Sequence, residues 1–376
     1  MFGKRIKLFR LLGFDIQIDL SWLFLALLIS WTLARNYFPY KYHGLSNSSY
    51  WVMGIGGALG LFLSLVLHEL GHSVVARKYG IPIKSITLFI FGGVAEMEGE
   101  PPTPQSEFRM AIAGPIVSIL IAILCYPLYL SGLRLGWPIQ LIGVLFYLSW
   151  INGLLAVFNL VPAFPLDGGR LLRSILWGRK HNLGQATRTA SSIGAAFGMG
   201  LIFLGVLSVF QGNLIAGIWW FLIGVFMRGA SRTSYQQVEI RRALEGEPIR
   251  RFMQSEAIVV PPSISVEDLV QDYIYKYHHE MFPVLRDSQL LGCVTIKRVK
   301  EIPREEWRQH SVQELMTPCS AENTISPDAD AIQVLSLMTR TGNSRLMVLD
   351  QDQLVGVVTL KDLLQFLSLK LDLEGG

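Results

Sequence analysis

Up to about Arg228 the chain runs in long apolar blocks separated by short polar joints, whereas from Arg232 onward apolar and polar positions alternate at short range. Six blocks, roughly 19–36, 54–77, 108–131, 139–161, 188–210 and 213–228, approach the length of about 20 apolar residues that a helix needs to cross a bilayer. Glycines and other small residues inside them suit close helix–helix approach in lipid. Trp22, Tyr37, Tyr40, Trp51, Trp137, Trp219 and Trp220 sit near block ends, as aromatic residues do at membrane interfaces. Between the second and third blocks the period changes. Ser85 to Phe91 is β-prone, Gly92-Gly93 breaks it, and Val94 to Glu98 resumes, which predicts a short hairpin or re-entrant strand pair. The expected architecture of residues 1–230 is therefore a multi-pass α-helical membrane domain with six spans and a short β segment.

A linker at 231–246 separates this domain from a soluble α/β part that contains an internal repeat. F-P-V-L-R-D-S-Q-L-L-G-C-V-T-I-K-R-V from Phe282 matches L-M-V-L-D-Q-D-Q-L-V-G-V-V-T-L-K-D-L from Leu346, 64 residues later. Met253 and Met316 open the two halves at equivalent places, so the repeats are placed at 247–309 and 310–376. Each half reads as strand, helix, strand, strand, helix. Units of this size do not bury their own apolar faces, so a pseudo-two-fold pair is expected.

Composition agrees with this division. The 376 residues are 51% hydrophobic and only 16% charged, against about a quarter charged in an ordinary soluble domain. Disorder, a collagen-like fibre and an ordinary cytosolic enzyme are excluded. Net charge is +4, but the basic residues gather at block ends instead of forming a stripe on a polar domain, so no nucleic-acid partner is expected. Lys4, Arg5, Lys7 and Arg10 precede the first block. Arg77, Lys78, Lys84 and Arg109 lie between the second and third, Arg170 to Arg188 between the fourth and fifth, and Arg228 to Arg242 after the sixth. The alternate joints hold only Arg35, Lys41 and Arg134. The asymmetry predicts an integral membrane protein with both termini and the soluble half in the cytoplasm. The first block has no small-residue cleavage pattern close behind it and is read as retained. Cys125, Cys293 and Cys319 show no paired spacing, which argues against a disulfide framework or a cysteine zinc site.

The second block contains His68-Glu69-Leu70-Gly71-His72. Residues four apart share a helix face with Cβ atoms about 5–6 Å apart, which lets two imidazoles reach one Zn²⁺. Glu69 is placed to take a proton from water on the metal. The bland alternative is two interhelical hydrogen-bonding histidines with a buried glutamate. Ionisable groups inside a span are costly and rarely kept without a role, and of seven histidines only these two lie well inside a block. A catalytic zinc takes three protein ligands. Asp167, in Asn159-Leu160-Val161-Pro162-Ala163-Phe164-Pro165-Leu166-Asp167-Gly168-Gly169 at the end of the fourth block, is the candidate third, or else an Asx-type turn. Asn159 is either a donor to a substrate carbonyl or oxyanion or a helix-packing amide. Asn152 reads as a packing residue.

These motifs, with Phe91-Gly92-Gly93-Val94-Ala95 and Ala111-Ile112-Ala113-Gly114-Pro115, resemble the site-2 protease family of intramembrane zinc metalloproteases over roughly residues 1–230. The resemblance implies one Zn²⁺ per chain on His68, His72 and Asp167, Glu69 as catalytic glutamate, and Asn159 as a substrate-positioning residue. It also implies regulated intramembrane proteolysis of a membrane-anchored substrate such as an anti-sigma or transcription factor. No PDZ-like insertion is visible between the blocks, so the chain resembles the branch carrying C-terminal CBS domains. Residues 247–370 resemble a tandem CBS pair, in which a G-h-T-x-x-D segment contacts adenosine nucleotides and the aspartate binds ribose hydroxyls. The second repeat keeps this segment as Gly356 to Asp362, with Thr359 in place. The first ends in Arg298 where the aspartate would stand, so one site for ATP, ADP or AMP is expected. A ligand-free dimerisation module, giving a homodimer, is the alternative. Two other readings of the whole chain stay open. A CBS-gated transporter or channel would spread polar residues along several spans, and an inactive scaffold would have lost Glu69 or a ligand.

Overall fold

The computed structural model describes residues 5–90, 92–97, 100–287 and 289–374 and divides into two compact units, Met1–Gln236 and Gln237–Gly376. The first unit opens with a β-hairpin that sequence periodicity had hidden inside a basic flank. Strands β1 (Arg5–Leu11) and β2 (Phe14–Asp19) pair antiparallel around Leu12-Gly13, both with positive φ. In β2 the pattern is strict: Phe14, Ile16 and Ile18 are buried and alternate with Asp15, Gln17 and Asp19. Asp19 then caps α1 (Leu20–Thr32), accepting from the Ser21 N–H at 2.9 Å.

The first expected span is corrected here. Helix α1 is 13 residues long, about 20 Å at 1.5 Å per residue, and the helical run continues unbroken through a π-helical turn at Leu33–Tyr37 into the short α2 (Phe38–Lys41), so the expected span is helical but not one regular α-helix. Strand pairing takes the residues before Leu20, and Pro39 follows the π turn, so the regular α segment is shorter than the apolar block. Among the described residues five helices, not six, are long and apolar enough to cross a membrane: α3 (Asn47–Lys78), α4 (Pro104–Leu135), α5 (Ile139–Asn159), α7 (Leu183–Phe210) and α8 (Leu214–Leu244). Their outward residues are apolar, as with Leu124 at 65%, Phe203 at 67% and Phe210 at 85% exposure, an outer surface suited to lipid rather than water. The 14-residue α6 (Asp167–Lys180) is amphipathic, with Arg179 and Lys180 in its last turn. Helix α8 continues through most of the segment expected to be a linker.

The predicted strand pair forms as β3 (Ile83–Phe89) and β4 (Gly92–Met97), antiparallel, while Phe91 and Glu98 lie outside the described residues. Because β2 pairs parallel with β3, the sheet order is β1-β2-β3-β4, which leaves β4 as an edge among the described residues. Phe14, Ile16, Ile18, Ile86 and Leu88 pack on Val66 and Leu70 of α3, so the sheet grips α3 at the level of the histidine motif.

In the second unit the repeats are interlocked. The first contains α9 (Val266–Asp268), continued by a π turn and α10 (Tyr275–Tyr277), then β5 (Met281–Arg286), β6 (Gln289–Thr295), α11 (Ile296–Val299) and α12 (Val312–Leu315). The second contains β7 (Thr317–Pro318), β8 (Thr324–Ile325), α13 (Ala331–Thr341), β9 (Arg345–Asp350), β10 (Gln353–Thr359) and α14 (Leu360–Glu374). The leading strand of the second repeat is β8, parallel to β9. In the first repeat it shrinks to one parallel bridge, Val260 to Val284. The segments that open each half cross over: Thr317-Pro318 pairs with β6 of the first repeat, and Gln254 bridges to Val357 of the second. This exchange explains two glycines of the repeated motif. A Cβ at Gly292 would press on the Thr317 carbonyl, and one at Gly356 would lie 2.6 Å from the Gln254 carbonyl oxygen. Correspondingly, Ile249 and Phe252 are buried in a core with Val334, Leu346 and Val358, on the far side of the repeat boundary read from sequence.

Candidate active site

Three elements build the site. Helix α3 carries His68, Glu69 and His72, α6 starts with Asp167, and α4 backs both imidazoles. His68 Nε2 and His72 Nε2 are 3.3 Å apart, and Asp167 Oδ2 is 3.1 Å from the first and 3.2 Å from the second. A tetrahedral ion with bonds of about 2.0–2.1 Å separates its ligands by about 3.3–3.4 Å. The triangle therefore has the dimensions of a zinc face, and the donors (two imidazole nitrogens and a carboxylate oxygen) are those zinc takes. Among the described residues these three form the group able to hold a metal.

Asp167 does not close on its own backbone as an Asx turn. The N-cap of α6 is Leu166, and the carboxylate instead reaches the histidines. Burial works to raise the Asp167 carboxyl, but the neighbouring His72 and His68 hold it well below the usual carboxylate range. Its position is enforced by packing. A Cβ at Gly169 would lie 2.5 Å from the Phe164 nitrogen, and one at Gly168 would collide with the backbone of Leu160 and Val161. Ser231 Oγ donates to the Phe164 carbonyl at 2.7 Å, which ties the loop to α8. From α4, the Met110 carbonyl lies 2.7 Å from His72 Nδ1 and Ser118 Oγ 2.8 Å from His68 Nδ1.

A cavity of about 380 Å³ opens on this triangle. Glu69, Asn159 and Arg170 contribute its polar wall, and Leu65, Phe89, Leu155, Phe158 and Phe226 its apolar wall. Glu69 lies against β4, where a Cβ on Gly93 would stand 2.5 Å from its Cγ. Asn159 lines the cavity while donating through Nδ2 to the Leu155 carbonyl at 3.0 Å. Asn152 is fully buried and donates to Ser64 Oγ and the Leu148 carbonyl, in keeping with a packing role.

In the second unit Thr359 and Asp362 meet each other. Thr359 Oγ1 and N both donate to Asp362 Oδ2, at 2.6 and 3.1 Å, and Gln254 Nε2 approaches Oδ1 at 3.3 Å. Arg298 pairs with Glu301 and donates to the Leu315 carbonyl. Sequence reasoning quoted Gly114 in a motif without giving it a role and missed Met110 and Ser118, whose i, i+4, i+8 spacing with it on α4 was the available signal. It also missed a buried ion pair: Arg173 Nε donates to Glu107 Oε1 at 2.6 Å, and the same guanidinium reaches Glu100 at 2.9 Å.

The sequence model of Peptidase family M50 matches residues 56–135 and 135–201. Rip3 of Mycobacterium tuberculosis is 33% identical over 96% of this chain and 93% of its own length. Zinc metalloprotease MJ0392 of Methanocaldococcus jannaschii is 30% identical over 97% and 96%. The chain belongs to peptidase family M50. This M50 protein is accordingly a metalloprotease of the site-2 protease type, and the family implies a zinc cofactor and a membrane setting. The solved site-2 protease of M. jannaschii is 31% identical and covers 62% of this chain and 95% of that one, at a TM-score of 0.43. CBS domain models match residues 249–305 and 312–369 of the M50 protein.

Proposed function

We propose that this M50 protein hydrolyses a peptide bond in or near the transmembrane segment of a membrane-anchored protein, with one Zn²⁺ on His68, His72 and Asp167. The observation that carries the reading is the convergence of three ligand atoms, from residues as far apart in sequence as His68 and Asp167, at zinc-sized separations on the wall of an apolar cavity. A bound zinc supplies Lewis acidity toward a carbonyl oxygen and a nucleophile near neutral pH. Glu69 accepts the proton of the attacking water and returns it to the leaving amine. Asn159 has a second amide hydrogen beyond the one given to Leu155 and offers it to the substrate carbonyl. The aromatic wall excludes water and receives apolar side chains.

A helical substrate hides its carbonyls in its own hydrogen bonds, and baring them in lipid costs several kcal/mol each. Strand β4, an edge among the described residues and beside Glu69, recovers those bonds by pairing with the unwound stretch. The basic ends of α3, α6 and α8 support a cytoplasmic location for both termini, where an anti-sigma or transcription factor released by cleavage would act. An adenosine nucleotide at Thr359 and Asp362 of the second repeat modulates the reaction, with a coupling of about 1–3 kcal/mol.

Glu69→Gln tests the core of this reading. It should keep zinc and lose about 10²–10⁴-fold in cleavage of a co-expressed membrane substrate; cutting at the wild-type rate would refute the role. Calorimetric titration of the full chain with ATP, ADP and AMP tests the nucleotide separately, and no heat from any of them removes that part alone.

A further inference from the structure

We propose that one face of α4, formed by Met110, Gly114 and Ser118, sets the zinc affinity of this centre, with Ser118 as the positioning residue for His68. The proposal rests on the zinc reading above and adds a role for residues outside the ligand set. A carbonyl only accepts hydrogen bonds, so the 2.7 Å contact to the Met110 oxygen puts the His72 proton on Nδ1 and presents the Nε2 lone pair to the metal position. His68 is different, because its Nδ1 faces a hydroxyl at 2.8 Å that can either donate or accept.

With no ion, His68 can carry its proton on Nε2 and donate to Asp167 Oδ2 at 3.1 Å while Ser118 donates to Nδ1. With an ion on Nε2, the proton sits on Nδ1 and Ser118 accepts it. The ring thus changes tautomer in place while keeping its hydrogen bond to Ser118. Ser118 is fully buried, so no water replaces it. Gly114, one turn away, supplies the space: a methyl there would overlap His72 Nε2 and stand 2.6 Å from His68 Nε2, where the ion has to be.

The test is zinc affinity of the full-length protein in detergent, read by competition with a chromophoric chelator, for wild type, Ser118→Ala, Gly114→Ala, His72→Ala and Ser64→Ala. Ser64 is a buried serine one turn before His68 whose hydrogen bonds go to Gly60 and Asn152 and to neither imidazole. Ser118→Ala should bind zinc about 10–100-fold more weakly, the usual cost of removing an outer partner of a metal histidine. Gly114→Ala should bind as poorly as His72→Ala, and Ser64→Ala as well as wild type. If Ser118→Ala does not fold, the near-isosteric pair Ser118→Thr and Ser118→Val replaces it, and threonine should bind at least about tenfold more tightly than valine. Wild-type affinity in Ser118→Ala, or equal affinity in the threonine and valine variants, overturns the role of Ser118. Wild-type affinity in Gly114→Ala overturns that of Gly114. If wild type binds zinc no better than His72→Ala, the zinc reading itself fails, a distinguishable result.

Discussion

Asp167 and Asp362 both lie in the first turn of a helix, α6 and α14, where a carboxylate is favoured by the exposed backbone N–H groups and worth about 0.3–1 kcal/mol. Asp362 takes that local reward: its Oδ2 accepts from the Thr359 amide and hydroxyl three residues away. Asp167 forgoes it and points across the fold to two histidines on α3. Local closure needs only the residues of one turn. Long-range convergence needs the whole neighbourhood to hold the side chain in place, and the packing around Asp167 does so through Gly168 and Gly169 and the Ser231 bond to Phe164. A polar side chain that gives up an available local bond for a distant cluster is the better signature of a reaction centre.

The same near-isosteric change applied to both aspartates tests this contrast most directly. Asp167→Asn removes the anionic ligand while leaving the clamped loop intact, so zinc affinity should fall by more than the roughly 10–100-fold expected for an outer partner, with the chelator-treated protein melting as the chelator-treated wild type does. Metal content after dialysis against a fixed zinc buffer, together with melting of the chelator-treated proteins, checks both halves. Retained zinc would mean that Asp167 is an ordinary second partner of two histidines.

The next largest effect concerns the exchange of segments between the repeats. Gly292→Ala puts a methyl against the Thr317 carbonyl on a two-residue strand that belongs to the other half. Overpacking of this kind costs typically 1–3 kcal/mol. Thermal unfolding of the full chain, combined with hydrogen exchange across β6 and β7, should show the loss confined to the second unit and zinc binding unchanged. No loss there would mean that the crossed segments are held loosely and the glycine answers only to a ligand.

How much of this was legible in the sequence depends on the range of each interaction. His68, Glu69 and His72 were legible because one helical turn fixes their spacing and an apolar block makes them conspicuous. Asp167 could be named as the candidate third ligand because it sits at a matching block end. The repeat showed the two halves of the soluble unit, but not the exchange, since sequence similarity reports which segments are alike and not which pair. Phe14 to Asp19 carries a period-two pattern, but it is one short strand that runs directly from a basic segment into an apolar block, which masks it. Arg173 was counted among the charges that orient the protein, yet it is buried against Glu107, so it carries less of that signal than an exposed arginine would. Ser118 was out of reach because its partner is 50 positions away, and only the packing of α4 on α3, through Gly71 and Ala113, brings them together.

The smallest expected effect decides what Asp362 is for. Asp362→Ala removes the carboxylate that answers Thr359 at the start of α14, which should cost about 0.3–1 kcal/mol, seen as faster hydrogen exchange in peptides covering β10 and the first turns of α14. Adding ATP, ADP or AMP then separates the two roles. If the aspartate also serves a nucleotide, the wild-type chain gains protection in those peptides and the variant does not, because the Oδ1 side, which Gln254 approaches at only 3.3 Å, has capacity for a ribose hydroxyl. If neither chain gains protection, Asp362 is a helix-capping residue whose motif is fully explained by its own turn, a local use of a carboxylate set against the long-range one of Asp167.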